Sequence, residues 1–462
     1  MLFNSLGFLY IFLPITYLVF WHLRGKTPRY VCLAISGYVF YSFWNYKFCA
    51  LMLFSTVVSY LAGLGLLRWQ DPVLRRLCVT VSVATDLALL GFFKYATFAV
   101  TNINGVASSL GGRLTLPILD IVLPVGISFY TFHTITYIVD GYRRVITPTR
   151  NFLEYAAYVS LFPQLVAGPI VRFRQIEQDF ENIDRADRTA SPGIGWSFLA
   201  IGLVKKVLIA DTIAAVIDPA FAKSSELSTV SAWLCVLGYS YQVYFDFSGY
   251  SDMAVGLGHL FGFRLPQNFN SPYKATDIAD LWRRWHISMS SFFRDYVYIP
   301  LGGSRGSRLM TCRNLIITML LCGLWHGANW TFVVFGAYHG LLLALHQTVR
   351  GPWERLPLRA RRIGTYGLWL VGLAFFRTAG LDAALTLLSA MFAWRGGAGI
   401  IGGSALIAIL VLAAAIAHLG PNTFEMRHQW SPSRAAGFAA LFGMCLFALY
   451  GSRAAPYVYF QF

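Results

Sequence analysis

A succession of long apolar stretches constrains this chain more than anything else: Leu6–Leu23, Val31–Trp44, Leu51–Leu67, Cys78–Val100, Ile118–Val139, Ile194–Ile217, Ser231–Phe247, Leu315–Phe332, Val333–Leu345, Gly364–Phe376, Ile400–Leu419 and Ala435–Tyr450. About 17 to 25 apolar residues are needed to cross a bilayer as a helix. The pattern therefore predicts an all-α polytopic membrane protein of roughly ten to twelve spanning helices. Composition agrees, with 56% hydrophobic and only 13% charged residues. Leu6–Leu23 has no basic segment before it and no small-residue cleavage site, so it reads as a first membrane helix and not a signal peptide. The seven cysteines show no CxxC spacing and mostly lie in apolar runs, so neither a disulfide framework nor a metal site is expected.

The formal charge of +16 invites a nucleic-acid reading, but its distribution excludes one. Lys and Arg cluster in short loops between apolar runs, at 24–29, 68–76, 141–150 and 349–362, as positive charge retained on the cytoplasmic side does. With 24–29 inside, the N-terminus lies outside, the polar 101–113 lies outside, and the count ends with the C-terminal tail outside. Both 141–150 and 171–188 are charged, yet "LEYAAYVSLFPQLVAGPI" lies between them. A re-entrant segment broken at Pro163, Gly168 and Pro169 resolves this and predicts a polar chamber nearby. No linker or repeat divides the chain, so 1–462 reads as one membrane domain with an extracytoplasmic aromatic tail at 451–462. The stretch Asp382–Trp394 is too short to span and is expected at the interface.

Three places carry groups that a passive span would not. "YQVYFDFSGYSDMAVGLGHLFGF", 241–263, holds Asp246, Ser248, Ser251 and Asp252. Ionisable residues within a span usually face a cavity, although these can instead cap or orient helices, paired with nearby arginine. In "DLWRRWHISMSSFFRDYVYIPLGGSRGSR", 280–308, helical spacing puts Trp282, Trp285, Met289 and Phe292 on one side and Arg283, His286 and Ser290 on another. That fits an interfacial amphipathic helix or a chamber wall. The glycine-rich turn after it, with Arg305 and Arg308, is a candidate phosphate cradle. Last, "LLCGLWHGANW" sets His326 in an apolar run beside Gly323, Gly327 and Ala328. A buried neutral imidazole is a candidate general base, and the plainer role is a structural hydrogen bond. No nucleophile elbow, phosphate-binding loop, zinc-protease motif or dinucleotide fingerprint competes. An enzyme and a transporter or polymer-export component with a His/Asp proton relay both remain open at this point.

Five segments in order, "LPVGISFYTFHTITYIVDGYR", "LFPQLVAGPIVRF", "YFDFSGYSDMAVGLG", "NFNSPYKATDIADLWRRWHISMSSFFRDYVYIPLGGSRG" and "RNLIITMLLCGLWHGANW", make the chain resemble the membrane-bound O-acyltransferase family, in its bacterial polysaccharide O-acetyltransferase branch. The resemblance covers most of the chain up to about residue 350. It implies a ring of tilted helices with re-entrant segments around a central tunnel, His326 as the active-site base and His286 as the second polar residue of the tunnel. Asp246, Ser248, Asp252, Trp325 and Asn329 are then tunnel-lining candidates, with His286 or the Trp325 indole as a candidate oxyanion donor. It further implies acetyl-CoA as donor substrate with no bound cofactor, an inner-membrane location, a periplasmic SGNH-like acetyltransferase partner, and an exported alginate- or cellulose-like polysaccharide as final acceptor. The tail "PYVYFQF" resembles an aromatic C-terminal motif in which a tyrosine, here Tyr459, receives the acyl group. An alternative within the family is a lipid or a teichoic-acid-like acceptor.

Overall fold

The computed structural model describes residues 1–112, 115–396, 401–451 and 456–458, the side chain of Arg188 excepted. Among these the regular structure is entirely helical. Five of the described helices are long and apolar enough to cross a membrane: Lys47–Arg68, Pro72–Ser109, Arg308–His326, Trp330–Glu354 and Pro432–Gly451. Shorter apolar helices occupy Phe8–His22, Leu381–Phe392 and Gly403–Leu419. The chain packs as two compact units, Met1–Leu199 with Met253–Pro266, and Ala200–Asp252 with Gln267–Phe462.

In the first unit, the basic stretch 68–76 is mostly helix and not loop. Asp71 accepts from the amides of Val73 and Leu74, both at 2.9 Å, with Pro72 at the first helical position. This pairing starts a helix well before its apolar run. The same helix passes through a π turn at Gly91–Tyr95 and continues to Ser109, so the polar 101–109 is helical where an external loop was expected. Nothing stops it before Gly111, whose φ of +72 is left-handed. Asp86 ties three helices together, accepting from the Ser55 hydroxyl at 2.6 Å and the Thr134 hydroxyl at 2.7 Å.

The expected break after the helix Phe152–Val159 is present. Residues 161–172 are non-helical and buried. A Cβ on Gly168 would lie 2.5 Å from the Gln164 Cα, so the turn admits only glycine. Backbone freed by the break is satisfied internally: Gln164 Nε2 donates to the Tyr158 carbonyl at 2.7 Å, and the Tyr158 hydroxyl donates to the Val171 carbonyl at 2.9 Å.

In the second unit the apolar run 231–247 and the polar run 241–263 belong to one 33-residue helix, Thr229–Phe261, which leaves this unit after Asp252. The basic stretch 349–362 is also mostly helical, interrupted only between Glu354 and Leu358. The site rests on the hairpin of Arg308–His326 and Trp330–Glu354. Glycines let its two backbones touch: a Cβ on Gly323 would sit 2.2 Å from the Phe332 carbonyl oxygen, and one on Gly336 2.4 Å from that of Met319. Close approach through small residues is how helices associate where hydrophobic exclusion gives no help.

Candidate active site

His326 is the last residue of its helix, followed by Gly327 in extended backbone. Gly327 packs against the Phe332 ring, where a Cβ would meet Cε2 at 2.3 Å. Asn329 then starts the next helix, its Oδ1 accepting from the Thr331 amide at 3.0 Å while its Nδ2 donates to the Ala379 carbonyl at 2.7 Å. Asn329 thus shapes the turn that presents His326. The buried imidazole packs edge-on against Phe376, centroids 5.0 Å apart, and lies 4.9 Å from the Trp325 ring.

His326 borders a narrow cavity of about 20 Å³, walled by Val243, Asp246, Phe247, Trp282, Trp285, Phe335, Trp369, Leu373, Phe376 and Val458. It has room for about one water molecule. Trp282 also borders a second cavity of about 290 Å³. That cavity is lined by apolar groups including Met289, Phe293, Leu315, Met319 and Cys322, with Arg283, Arg294 and Tyr298 among its polar members. Leu315, Met319, Cys322 and His326 are spaced along one face of their helix, so the larger cavity and the imidazole share that face.

The amphipathic helix expected through 280–293 is instead two short ones, Ile278–Arg284 and Ile287–Phe293. Between them His286 adopts φ +44 and ψ +56, a left-handed conformation uncommon for histidine. The turn carries its ring wholly into the interior, against Phe247 at 4.7 Å and 6.0 Å from the Trp325 ring. Asn268 holds it there. The Asn268 Oδ1 faces His286 Nδ1 at 3.0 Å and also accepts from the Ser288 amide at 3.2 Å and hydroxyl at 2.9 Å, while its Nδ2 donates to the Ser251 hydroxyl at 3.2 Å. An acceptor oxygen requires the proton on Nδ1, which leaves Nε2 with a lone pair. Burial pushes this imidazole down to about 3, so the neutral ring prevails at working pH. A neutral His286 is therefore an acceptor at Nε2, which removes it as an oxyanion donor.

Asp246 and Asp252 are paired, with lysine and not with the arginine expected. Lys205 Nζ lies 2.5 Å from Asp252 Oδ2, and the Thr423 hydroxyl donates to the same oxygen at 2.6 Å. Lys206 Nζ lies 2.6 Å from Asp246 Oδ1 and 2.8 Å from Asp211. The lysines belong to a π turn, Val204–Ala210, within the apolar run 194–217. The helices cross at Gly249, where a Cβ would sit 2.7 Å from the Gly202 carbonyl oxygen. Sequence reasoning missed these lysines and Asn268. Two lysines within one span and two aspartates within another were the available signal, since each charge needs an opposite partner in hydrocarbon.

Of the other candidates, Ser248 is buried in the same helix but is not among the narrow cavity's walls. Arg305 lies in the turn after Tyr298 and Arg308 opens the helix that follows; neither lines either of the two cavities, and the Arg308 guanidinium donates to the Gln347 carbonyl. Tyr459 lies outside the described residues. Among those described, no cluster of three metal-ligating side chains forms.

The chain is 44% identical over 402 residues to the probable alginate O-acetylase AlgI of Azotobacter vinelandii, covering 85% of this chain and 78% of that one. It is 43% identical over 400 residues to the protein of the same name from Pseudomonas aeruginosa, with coverage of 85% and 75%. Against the peptidoglycan O-acetyltransferase of Helicobacter pylori it is 37% identical over 429 residues, covering 86% and 80%. Residues 121–376 match the family model of the membrane-bound O-acyltransferases. That span contains both histidines and every wall of the narrow cavity except Val458; the chain is a multi-pass membrane O-acyltransferase and belongs to the membrane-bound O-acyltransferase family.

Proposed function

We propose that the protein takes acetyl from cytoplasmic acetyl-CoA and passes it across the bacterial inner membrane for O-acetylation of an exported polysaccharide, with His326 as general base. The observation that carries this reading is His326 in the wall of a cavity too narrow for bulk water, next to a larger, mainly apolar cavity that shares Trp282 with it. Names of the relatives supply the acetyl group and the carbohydrate polymer as acceptor class.

The larger cavity suits a thioester arm, and Arg283 and Arg294 suit the phosphates of its carrier. As a hydroxyl oxygen attacks the acetyl carbonyl, His326 takes the hydroxyl proton; the tetrahedral intermediate collapses to the new ester, and the coenzyme thiolate leaves and recovers the proton. General-base help of this kind is worth roughly 10²- to 10⁴-fold. The cation forms at a helix C-terminus, an electrostatically favourable place worth about 0.3–1 kcal/mol. A narrow cavity also keeps water from hydrolysing the thioester. His286, fixed by Asn268, is the candidate second polar residue of the tunnel. Tyr459, on a tail that the positive-inside count puts outside the cytoplasm, is the candidate acceptor from which a periplasmic SGNH-like partner carries acetyl to the polymer. A proton relay through the aspartates is disfavoured, because each is held by a lysine.

Purified protein in nanodiscs, given acetyl-labelled acetyl-CoA, tests this. Wild type should release CoA and carry label on the tail or on an added hydroxyl acceptor. His326→Ala should lose at least about 100-fold, and Tyr459→Phe should keep CoA release while losing label on the tail. A folded His326→Ala that turns over normally overturns the reading.

A further inference from the structure

A buried charged pair holds the C-terminal segment. Lys206 and Asp246 are each almost fully buried, and their mutual contact does not exhaust their bonding capacity. Lys206 Nζ also donates to the Pro456 carbonyl at 3.2 Å and stands 4.7 Å from the centroid of the Tyr457 ring. The second oxygen of Asp246 accepts from the Val458 amide at 2.9 Å. Tyr457 in turn packs edge-on against Tyr250, centroids 4.7 Å apart.

A buried ion pair is tolerated only when its remaining donors and acceptors are also satisfied. Here the backbone of 456–458 supplies part of that satisfaction, so the seating of the tail and the burial of the pair depend on each other. Asp246 and Val458 are both walls of the His326 cavity.

We propose that Lys206 and Asp246 form a latch that seats the segment Pro456–Val458 in the wall of the His326 cavity, making both of them positioning residues for the tail. The tail's part in catalysis rests on the reading of that cavity as the transfer site; the latch itself is a statement about where residues 456–458 sit.

The test uses the full chain in nanodiscs carrying Val458→Cys, treated with a bulky water-soluble maleimide and followed by mass spectrometry of the C-terminal peptide. Labelling should be slow in this parent and at least about tenfold faster in Lys206→Met, as local opening of the tail requires. Lys206→Arg, which keeps the cation, should stay within about threefold of the parent. Tyr457→Leu removes the ring contacts and leaves the ion pair, and should label about threefold faster than the parent; it carries the test if Lys206→Met does not fold. Fast labelling in the parent, or a folded Lys206→Met or Tyr457→Leu that labels no faster than it, overturns the latch. Acetyl transfer measured on the same samples separates the two ideas. An exposed tail with undiminished transfer supports the latch and overturns the tail as acyl route, whereas a closed tail with lost transfer overturns the latch alone.

Discussion

Asp86 in the first unit and Asp246 in the second are both buried carboxylates among apolar helices, and they are handled in opposite ways. Asp86 meets two hydroxyls, from Ser55 and Thr134, both on neighbouring helices of its own unit. It glues three helices and borders neither of the cavities beside His326. Asp246 meets a lysine on one side and a backbone amide of the tail on the other, and it faces the His326 cavity. Hydroxyl partners close a polar group off from the rest of the molecule. A charge whose partners include a terminal segment couples that segment to the site.

The strongest test of this contrast is Asp246→Asn. Acetyl transfer per folded molecule should fall about 10- to 100-fold, the scale of a small misplacement of reacting groups, measured by labelled acetyl transfer on size-exclusion-purified protein. Transfer within twofold of wild type would make Asp246 another structural carboxylate. Lys205→Met sharpens the comparison, because Lys205 and Asp252 lie in the second unit but are not walls of the narrow cavity. Breaking this largely buried pair should lower stability by about 2 kcal/mol, read as a drop in Tm, with transfer per folded molecule unchanged. If it instead abolishes transfer at constant Tm, cavity contact is not what separates the two kinds of aspartate.

How much of this was legible in the sequence follows from what each signal depends on. Apolar runs are a one-dimensional property, so the helical class and the placement of most long helices could be read directly. Gly323 and Gly327 beside His326 could be read as close packing, and they meet the Phe332 carbonyl and the Phe332 ring respectively. The break at Pro163–Pro169 was equally visible, because it lies in the backbone chemistry of those residues. Helix ends were not: Asp71 starts a helix inside a basic loop, and the polar 101–109 stays helical because nothing stops it. The turn at His286 was hidden for a different reason. Nothing in 280–293 breaks a helix locally, and the left-handed histidine is held by Asn268, a residue 18 positions away. Partners of Asp246 and Asp252 were hidden likewise, since Lys205 and Lys206 lie in another apolar run.

The smallest effect belongs to the hydroxyl side of the comparison, and it is the most discriminating for that reason. Asp86→Asn keeps one acceptor oxygen and turns an amide group toward the other hydroxyl, so one of the two buried hydroxyls loses Asp86 as its acceptor. Such a loss costs about 1–3 kcal/mol. Ser55→Ala removes the Ser55–Asp86 bond and leaves Asp86 with Thr134 alone, a loss of about 1 kcal/mol on the scale of side-chain hydrogen bonds between membrane helices. Combining Ser55→Ala with Asp86→Asn should cost less than the sum, because the two changes remove a shared contact. Thermal unfolding of the two single variants and the double variant measures that coupling, and transfer assayed in parallel should stay within about twofold of wild type in all three, as expected of residues that line neither cavity. A transfer loss that tracks Asp86 and not Tm would mean that the hydroxyl-bound carboxylate also serves the reaction, and the distinction between gluing and positioning aspartates would fall.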